Sequence, residues 1–171
     1  MERAPKAPLR IEPATPDDIA LILDFIRELA DYERLLDQVV ASEELLREQL
    51  FGARPGAEVM IARWDGEPAG FALFFHNFST FLGRRGLYLE DLFVRPAFRG
   101  RGVGRALLVF LARLSVERGC GRLEWSVLDW NGAAIGFYRG LGALAMSDWT
   151  VYRLAGEPLR ALASAPNAQP A

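Results

Sequence analysis

The chain has very little of the two residue types that most often build metal sites. Among its 171 residues there is one cysteine, Cys120, and one histidine, His76. One cysteine excludes an internal disulfide framework and a cysteine metal cluster, and one histidine excludes a multi-histidine zinc site. We therefore expect no bound metal, a reducing compartment and a structural role for His76.

The sequence also lacks a long hydrophobic run and an excess of positive charge. No apolar stretch reaches the roughly 18 residues of a membrane span, and residues 1–6 lack the apolar centre of a signal peptide. The 20 basic and 22 acidic residues give a net charge of −2, whereas a nucleic-acid binder normally has a basic face. These absences predict a cytoplasmic protein that binds neither membranes nor nucleic acid.

The length and the 51% hydrophobic content suit one α/β domain. Ends rich in Ala and Pro predict flexible tails over 1–8 and 158–171, around a domain over 9–157. Periodicity and turn residues predict one mixed sheet with flanking helices. The predicted strands cover 9–12, 58–64, 69–78, 87–94, 122–128 and 150–154, and the helices cover about 15–33, 42–50, 104–118 and 132–139.

The most informative stretch is a buried strand that leads through a glycine-rich turn into a helix. Leu87 to Val94 is mostly apolar, and Arg99-Gly-Arg-Gly-Val-Gly-Arg-Ala106 follows soon after it. Glycine lets the backbone approach a ligand, and the free N–H groups at a helix start favour an anion. The turn therefore predicts a site for a phosphorylated cofactor.

Two other phosphate motifs do not fit this turn. A nucleotide P-loop ends in Gly-Lys-Ser/Thr, whereas Gly104 is followed by Arg105 and Ala106. A dinucleotide fingerprint needs a third glycine where this chain has Arg105 or Leu107, depending on where the count begins. The remaining alternative is that the glycines only form a tight turn between strand and helix.

An acidic cluster marks the end of the first predicted helix. Tyr32 and Glu33 lie at the end of the acidic segment 28–33, with Asp37 a little further along. Such a cluster is either a solvated helix end or a surface that attracts a cationic substrate. The charge pattern alone does not decide between them.

The glycine turn resembles the cofactor-binding turn of the GNAT superfamily of acetyl-CoA-dependent N-acetyltransferases. Arg99, Gly102 and Gly104 meet the superfamily's pattern of Arg or Gln, two residues, Gly, one residue, then Gly or Ala. A weaker second signature is met by Asn131 and by the segment 137–143. The resemblance implies a GNAT-type mixed central sheet flanked by helices in a single domain, with acetyl-CoA as co-substrate.

Further segments are similar to the diamine (spermidine/spermine) acetyltransferases and, within them, most similar to the thialysine-acetylating branch. They are Arg27–Ala30, Tyr32-Glu33, Tyr88–Asp91 and Leu128–Asn131. The polyamine enzymes have an acidic residue in the loop before the central strand, where this chain has Asn77–Thr80. We therefore expect a small primary amine, namely a diamine, thialysine or an amino-acid-like amine, and the resemblance implies a homodimer.

The resemblance also implies which residues hold the cofactor. The turn holds the pyrophosphate, the end of the central strand pairs edge-on with the pantetheine arm, and a later segment contacts the reactive end. The arginines of the turn also carry charge that can reach the phosphates. The cofactor-binding residues expected in this way are Leu92, Phe93, Val94, Arg99, Gly100, Arg101, Gly102, Val103, Gly104, Arg105, Asn131, Gly132, Ala133 and Ala134.

Acetyl transfer to an amine requires a base, because an alkylammonium with a pKa of about 10.4 is charged at neutral pH. Glu90 interrupts an apolar strand just before the cofactor segment, and the resemblance places the family's proposed base there. The alternative is that Glu90 merely points to solvent. Asp91 is next to it and should face the opposite side of the strand.

The departing thiolate needs a proton, and we predict that Tyr138 supplies it. A phenol with a pKa of about 10 can protonate a thiolate whose conjugate acid has a pKa of about 8.5. The alternative is an aromatic packing role for Tyr138. A backbone N–H near Phe93 is the expected oxyanion donor if the strands diverge there.

The predicted substrate-binding residues are Tyr32, Glu33, Glu90 and Trp130, although large aromatics such as Trp130 are more often core residues. Two other functions stay open, a peptide or protein amine acetyltransferase and a non-catalytic acetyl-CoA-binding module. The presence of both Glu90 and Tyr138 argues against the module.

Overall fold

The computed structural model describes residues 8–165, and the chain divides into two compact units, Met1–Ser126 and Val127–Ala171. The first unit contains β1 (Leu9–Pro13), α1 (Ile19–Tyr32), α2 (Glu43–Phe51), β2 (Glu58–Trp64), β3 (Glu67–Ser79), β4 (Arg84–Val94), α3 (Val103–Glu117) and β5 (Leu123–Trp125). The second contains α4 (Gly132–Gly140) and α5 (Gly156–Ala163). No helix in the described residues is both long and apolar enough to cross a membrane.

The five strands form one mixed sheet in chain order. β1 to β4 are antiparallel neighbours, and β5 runs parallel to β4 after the α3 crossover. The predicted hairpin joins β2 to β3 through Asp65 and Gly66, whose φ angles are 50° and 90°. Positive φ at both central residues is what a type I′ turn requires. The predicted α/β class and the parallel pair are therefore confirmed.

Apolar side chains cover both faces of this sheet. On one face Phe25 of α1 stacks on Phe71 at 5.2 Å and meets the edge of Phe93 at 6.4 Å. Because side chains alternate along a strand, Leu92 and Val94 point to the opposite face. There the Cβ position of Gly104 at the start of α3 lies 3.6 Å from Val94 and 3.8 Å from Leu92. Both faces therefore anchor the end of β4.

Local signals fix where α1 and α2 begin and end. Asp18 accepts from the Thr15 N–H at 2.9 Å, and Ser42 accepts from the Leu45 N–H at 3.3 Å, as expected of helix caps. At the end of α1 the Leu35 N–H donates to the Ala30 carbonyl at 2.8 Å. Arg34, in the turn so formed, has a φ of 62°. A side-chain-bearing residue thus occupies a left-handed cap that glycine usually fills.

The C-terminal expectations were partly wrong. Thr150–Leu154 has no strand partner among residues 8–165 and is irregular. An alternating pattern is not enough for a strand, because its backbone also needs a neighbouring strand with which to form hydrogen bonds. β5 is also shorter than the predicted 122–128. A helix, α5, forms where the sequence predicts a loose tail, because Leu159 and Leu162 have helical spacing. Residues 1–7 and 166–171 of the predicted tails lie outside the described residues.

Candidate active site

β4 contains a bulge at Glu90. In the pairing with β3, Phe74 lies opposite Leu89 and Leu73 lies opposite Asp91, so Glu90 is the extra residue. Side chains alternate regularly before and after the bulge, but the extra residue interrupts this alternation between Glu90 and Asp91. The side chain of Asp91 consequently points to the same face of β4 as that of Glu90. The prediction that Asp91 faces the opposite side was wrong, because it counted a regular alternation through this bulge.

Three carboxylates act on one another at this point. Burial and, to a smaller extent, the negative charges of Glu90 and Glu33 together raise the pKa of Asp91 to about 6. Glu33 directly follows α1, and burial raises its own pKa as well. Glu90 is exposed, whereas Asp91 and Glu33 are partly buried. The arrangement concentrates negative charge where a bound ammonium group would be stabilised.

The edge of β4 opens at the same place. The parallel pairing of β4 with β5 runs only from Leu87 to Leu89, so residues 90–94 have no strand partner on that edge within residues 8–165. The Arg95 N–H donates to the Ala69 carbonyl of β3 at 2.9 Å. By alternation the N–H of Phe93 also faces β3, and the N–H groups of Leu92 and Val94 face the open edge. The strands therefore diverge next to Phe93, as the oxyanion prediction requires.

The glycine turn after β4 has the geometry of an anion site. Gly100 and Gly102 have φ angles of 75° and 82°, and no atom lies within 4 Å of the position of an added Cβ at either residue. The N–H groups of residues 100–105 donate to no acceptor among residues 8–165. α3 begins at Val103, so its first free N–H groups and its positive dipole end point into the same turn.

Two of the three turn arginines already contact aromatic rings. The Arg99 guanidinium lies 4.8 Å from the Tyr32 ring centroid, and its Nε donates to the Val94 carbonyl at 2.9 Å. Arg101 lies 5.5 Å from the Trp64 ring. Arg99 thereby brings Tyr32, a predicted substrate residue, next to the open edge of β4. Arg105 is exposed and has neither kind of contact with the described residues.

An ion pair that the sequence does not reveal ties α1 to the end of β4. Arg95 Nη2 lies 2.6 Å from Glu28 Oε1, and Arg95 Nε lies 3.0 Å from Glu28 Oε2. The Arg95 guanidinium also lies 4.6 Å from the centroid of Phe25. Because the two residues are far apart in sequence, no local pattern signals this pair. It holds the C-terminal half of α1, and hence Tyr32 and Glu33, near the bulge.

The remaining predicted site residues belong to the second unit. Asn131 accepts from the Ala134 N–H at 3.2 Å and so caps α4. The Gly132 N–H donates to the Trp130 carbonyl at 2.9 Å, which leaves the Ala133 N–H at the helix start. Tyr138 lies in α4 with its ring 5.5 Å from that of Phe137. Trp130 is 56% exposed and is not a core residue.

Two sequence features lie away from this region. The segment Asn77–Thr80 is not the loop that the sequence predicts, because Asn77 to Ser79 belong to β3 and pair with residues 84–86 of β4, at least four residues and about 13 Å from Glu90. His76 Nε2 lies 3.5 Å from Arg118 Nη1, and burial together with this cation lowers its pKa. The described residues contain no group of three His, Cys, Asp or Glu side chains suited to a metal ion.

Comparison with known families explains this combination of an open strand edge and a glycine turn. A family model described as the acetyltransferase (GNAT) family matches residues 23–143. The chain belongs to this family. The match crosses from the first unit into the second, so both are parts of one GNAT domain, and the chain is an N-acetyltransferase.

Individual relatives agree with the GNAT assignment. Thialysine N-epsilon-acetyltransferase of Bos taurus is 40% identical over 164 residues, covering 90% of this chain and 96% of the relative. L-ornithine N5-acetyltransferase of Arabidopsis thaliana is 33% identical and covers 90% of this chain and 87% of the relative. An integron cassette protein of V. cholerae has a similar structure, with a TM-score of 0.79, 27% identity and coverage of 94% and 100%. The predicted fold class and enzyme class are thus confirmed.

Proposed function

We propose that this GNAT enzyme transfers the acetyl group of acetyl-CoA directly to the primary amine of a small molecule. The observation that carries the proposal is the cluster of Glu33, Glu90 and Asp91 beside the open edge of β4. An acceptor amine is a cation before it reacts, and this cluster supplies the opposite charge. The same edge leads directly into the glycine turn, so cofactor and amine would meet at Glu90.

The residues that would hold acetyl-CoA fit that molecule. Its pantetheine arm contains amides, which can pair with the open edge of Leu92 to Val94 through the Val94 N–H as a further strand would, and the Leu92 N–H next to Phe93 is left for the oxyanion. Its pyrophosphate is an anion, which suits the free N–H groups around Gly100 and Gly102 at the start of α3. The exposed Arg105 adds a cation beside the same turn, and the segment Asn131–Ala134 at the start of α4 offers the Ala133 N–H as a further donor.

In the proposed reaction, Glu90 acts as general base through a water molecule and Tyr138 as general acid. The amine loses one proton toward Glu90, its nitrogen attacks the thioester carbon, and the C–N bond forms. The carbon–sulfur bond then breaks, and Tyr138 gives its phenolic proton to the thiolate. The second amine proton returns to Tyr138 through water, so protons and charges balance. An edge N–H of β4 stabilises the oxyanion.

The relatives favour a small amine with an amino-acid character. Two of them are named for thialysine and for L-ornithine, both of which carry a side-chain amine. Tyr32 and Glu33 of α1 and Trp130 before α4 are the residues that we propose to contact such a substrate. The uncharged segment Asn77–Thr80 pairs with residues 84–86 of β4, about 13 Å or more along the strand from Glu90, so it adds no carboxylate for a second ammonium group.

The proposal is tested by a CoA-release assay over a panel of amines. We expect turnover with thialysine, ornithine or a short diamine, weaker turnover with long polyamines, and none with alcohols. Glu90→Gln should lower the rate most at neutral pH. Turnover with peptides alone would indicate a peptide amine acetyltransferase. Tight acetyl-CoA binding without turnover on any amine would instead indicate a non-catalytic acetyl-CoA-binding module.

We also propose that the enzyme acts as a homodimer in the cytoplasm. The side chains of Leu144, Val151 and Tyr152 are 87%, 81% and 93% exposed. Contact of these apolar side chains with water is unfavourable, and a second copy of the chain would bury them. The segment 150–154 also has the alternating pattern of a strand, and a partner's sheet edge would supply the neighbour that it lacks. The single cysteine is consistent with a reducing compartment.

A further inference from the structure

We propose that Asp91 is the final acceptor of the proton that the substrate ammonium loses, with Glu90 as the relay that passes it on. This inference rests on the function proposed above and adds a second carboxylate to it. It starts from the bulge, which places Asp91 on the same face of β4 as Glu90. In a regular strand these neighbours would be on opposite faces and could not form a pair.

The two carboxylates differ in their surroundings. Glu90 is exposed, and water and the substrate can reach it. Asp91 is partly buried, with Leu73 opposite it on β3. The inner carboxylate is therefore the better place to hold a proton, because burial penalises its charged form. The outer carboxylate is the better place to collect one from a bound amine.

The charges around Asp91 favour the same division. Glu90 on its own strand and Glu33 after α1 are the charges that disfavour an ionised Asp91. The nearby cations are occupied elsewhere, since Arg95 pairs with Glu28 and Arg99 is bonded to the Val94 carbonyl and covers Tyr32. Asp91 is thus a carboxylate in negative surroundings, which an added proton relieves.

This environment gives Asp91 a proton affinity suited to the reaction. Its pKa of about 6, against an ordinary 3.8, makes it roughly a hundredfold better proton acceptor while leaving it mostly ionised at pH 7. The ammonium proton passes through water and Glu90 to Asp91 and leaves the free amine to attack. Asp91 later releases this proton to solvent through Glu90, which restores the starting state.

The test is the pH profile of kcat/KM for the wild type and three variants, with thialysine or ornithine as acceptor. The wild type should lose activity below about pH 6. Asp91→Asn should lower kcat/KM by roughly 10²–10⁴-fold and remove this acid limb. Asp91→Glu should restore part of the rate. Glu90→Gln should lower the rate but keep an acid limb, displaced to lower pH because a negative charge beside Asp91 is lost.

A second measurement follows the Asp91 carboxyl by carbon-13 NMR during a pH titration, with thermal unfolding as a control for folding. We expect Asp91 to titrate at the pH of the acid limb. The inference is overturned if Asp91→Asn keeps both the rate and the acid limb, or if Glu90→Gln alone removes that limb. A wild type that acetylates no amine at any pH would instead contradict the proposed function itself.

Discussion

Glu90 and Asp91 are consecutive residues of β4 whose side chains lie on the same face of the strand. The bulge between Leu89 and Asp91 produces this relationship and brings their carboxylates together with that of Glu33. Such a cluster is costly without a bound cation, because three like charges repel one another and two of them are partly buried. Ionisable groups that are held together although they destabilise the fold are typical of a functional site.

The destabilisation of the folded chain by the ionised Asp91 should depend on pH. The pKa of Asp91 is raised to about 6 in the folded chain, so its destabilising effect is full above pH 6 and fades as the pH falls toward 3.8. Asp91→Asn should therefore raise the free energy of unfolding by about 1–3 kcal/mol at pH 7 and by little at pH 4. Urea unfolding at both pH values measures this. Equal stability of the two proteins at pH 7 would contradict the burial of this charge.

The glycine turn can be tested with a matched pair of variants. Gly102 and Gly119 both have positive φ and open surroundings, at opposite ends of α3. An alanine at either should cost roughly 1–2 kcal/mol of stability through left-handed strain. Only Gly102→Ala should also raise the KM for acetyl-CoA, by roughly tenfold or more, since about 1.4 kcal/mol corresponds to a factor of ten. A similar KM increase in Gly119→Ala would show that strain alone accounts for the effect.

The role of Tyr138 is tested by removing only its hydroxyl. Tyr138→Phe should lower kcat by roughly 10²–10⁴-fold, because the thiolate then departs without a general acid. Binding of acetyl-CoA should be unchanged, since the ring remains. Phe137→Leu is a suitable control, because it changes the adjacent ring at 5.5 Å without removing a proton donor. Unchanged turnover in Tyr138→Phe would remove Tyr138 from the mechanism.

The proposed dimer can be tested with two equally exposed valines. Val151 lies in the apolar segment of the second unit and is 81% exposed, and Val116 lies on α3 and is 80% exposed. Val151→Asp should shift the mass measured by light scattering from dimer toward monomer, because a charge would be buried at the contact. Val116→Asp should leave the dimer intact. A wild type that is monomeric at all concentrations would contradict the dimer.

The sequence predicts the elements whose signals are local. Thr15 and Ser42 cap their helices where expected, Asp65-Gly66 forms its turn, and the strand, glycine turn and helix of residues 87–118 are present. Each of these features depends on contacts within a few residues. Such contacts are decided by propensity and by which backbone conformations a side chain permits.

The features that the sequence does not predict depend on distant partners. The bulge at Glu90 exists only in the pairing with β3, and the Arg95–Glu28 ion pair joins distant parts of the chain. Thr150–Leu154 shows the converse, because its alternating pattern is present but residues 8–165 provide no paired neighbour. Residue types thus indicated the glycine turn and Glu90, whereas the role of Asp91 depends on register.

The backbone of Arg34 links the stability of the chain to the position of Tyr32 and Glu33. Its left-handed backbone, with a φ of 62°, directly follows Tyr32 and Glu33. Arg34→Gly should increase thermal stability by relieving about 1 kcal/mol of strain, yet glycine would also let this turn sample more conformations. A more heat-resistant variant would then discriminate less well between amines, so durability and selectivity compete at a single backbone position.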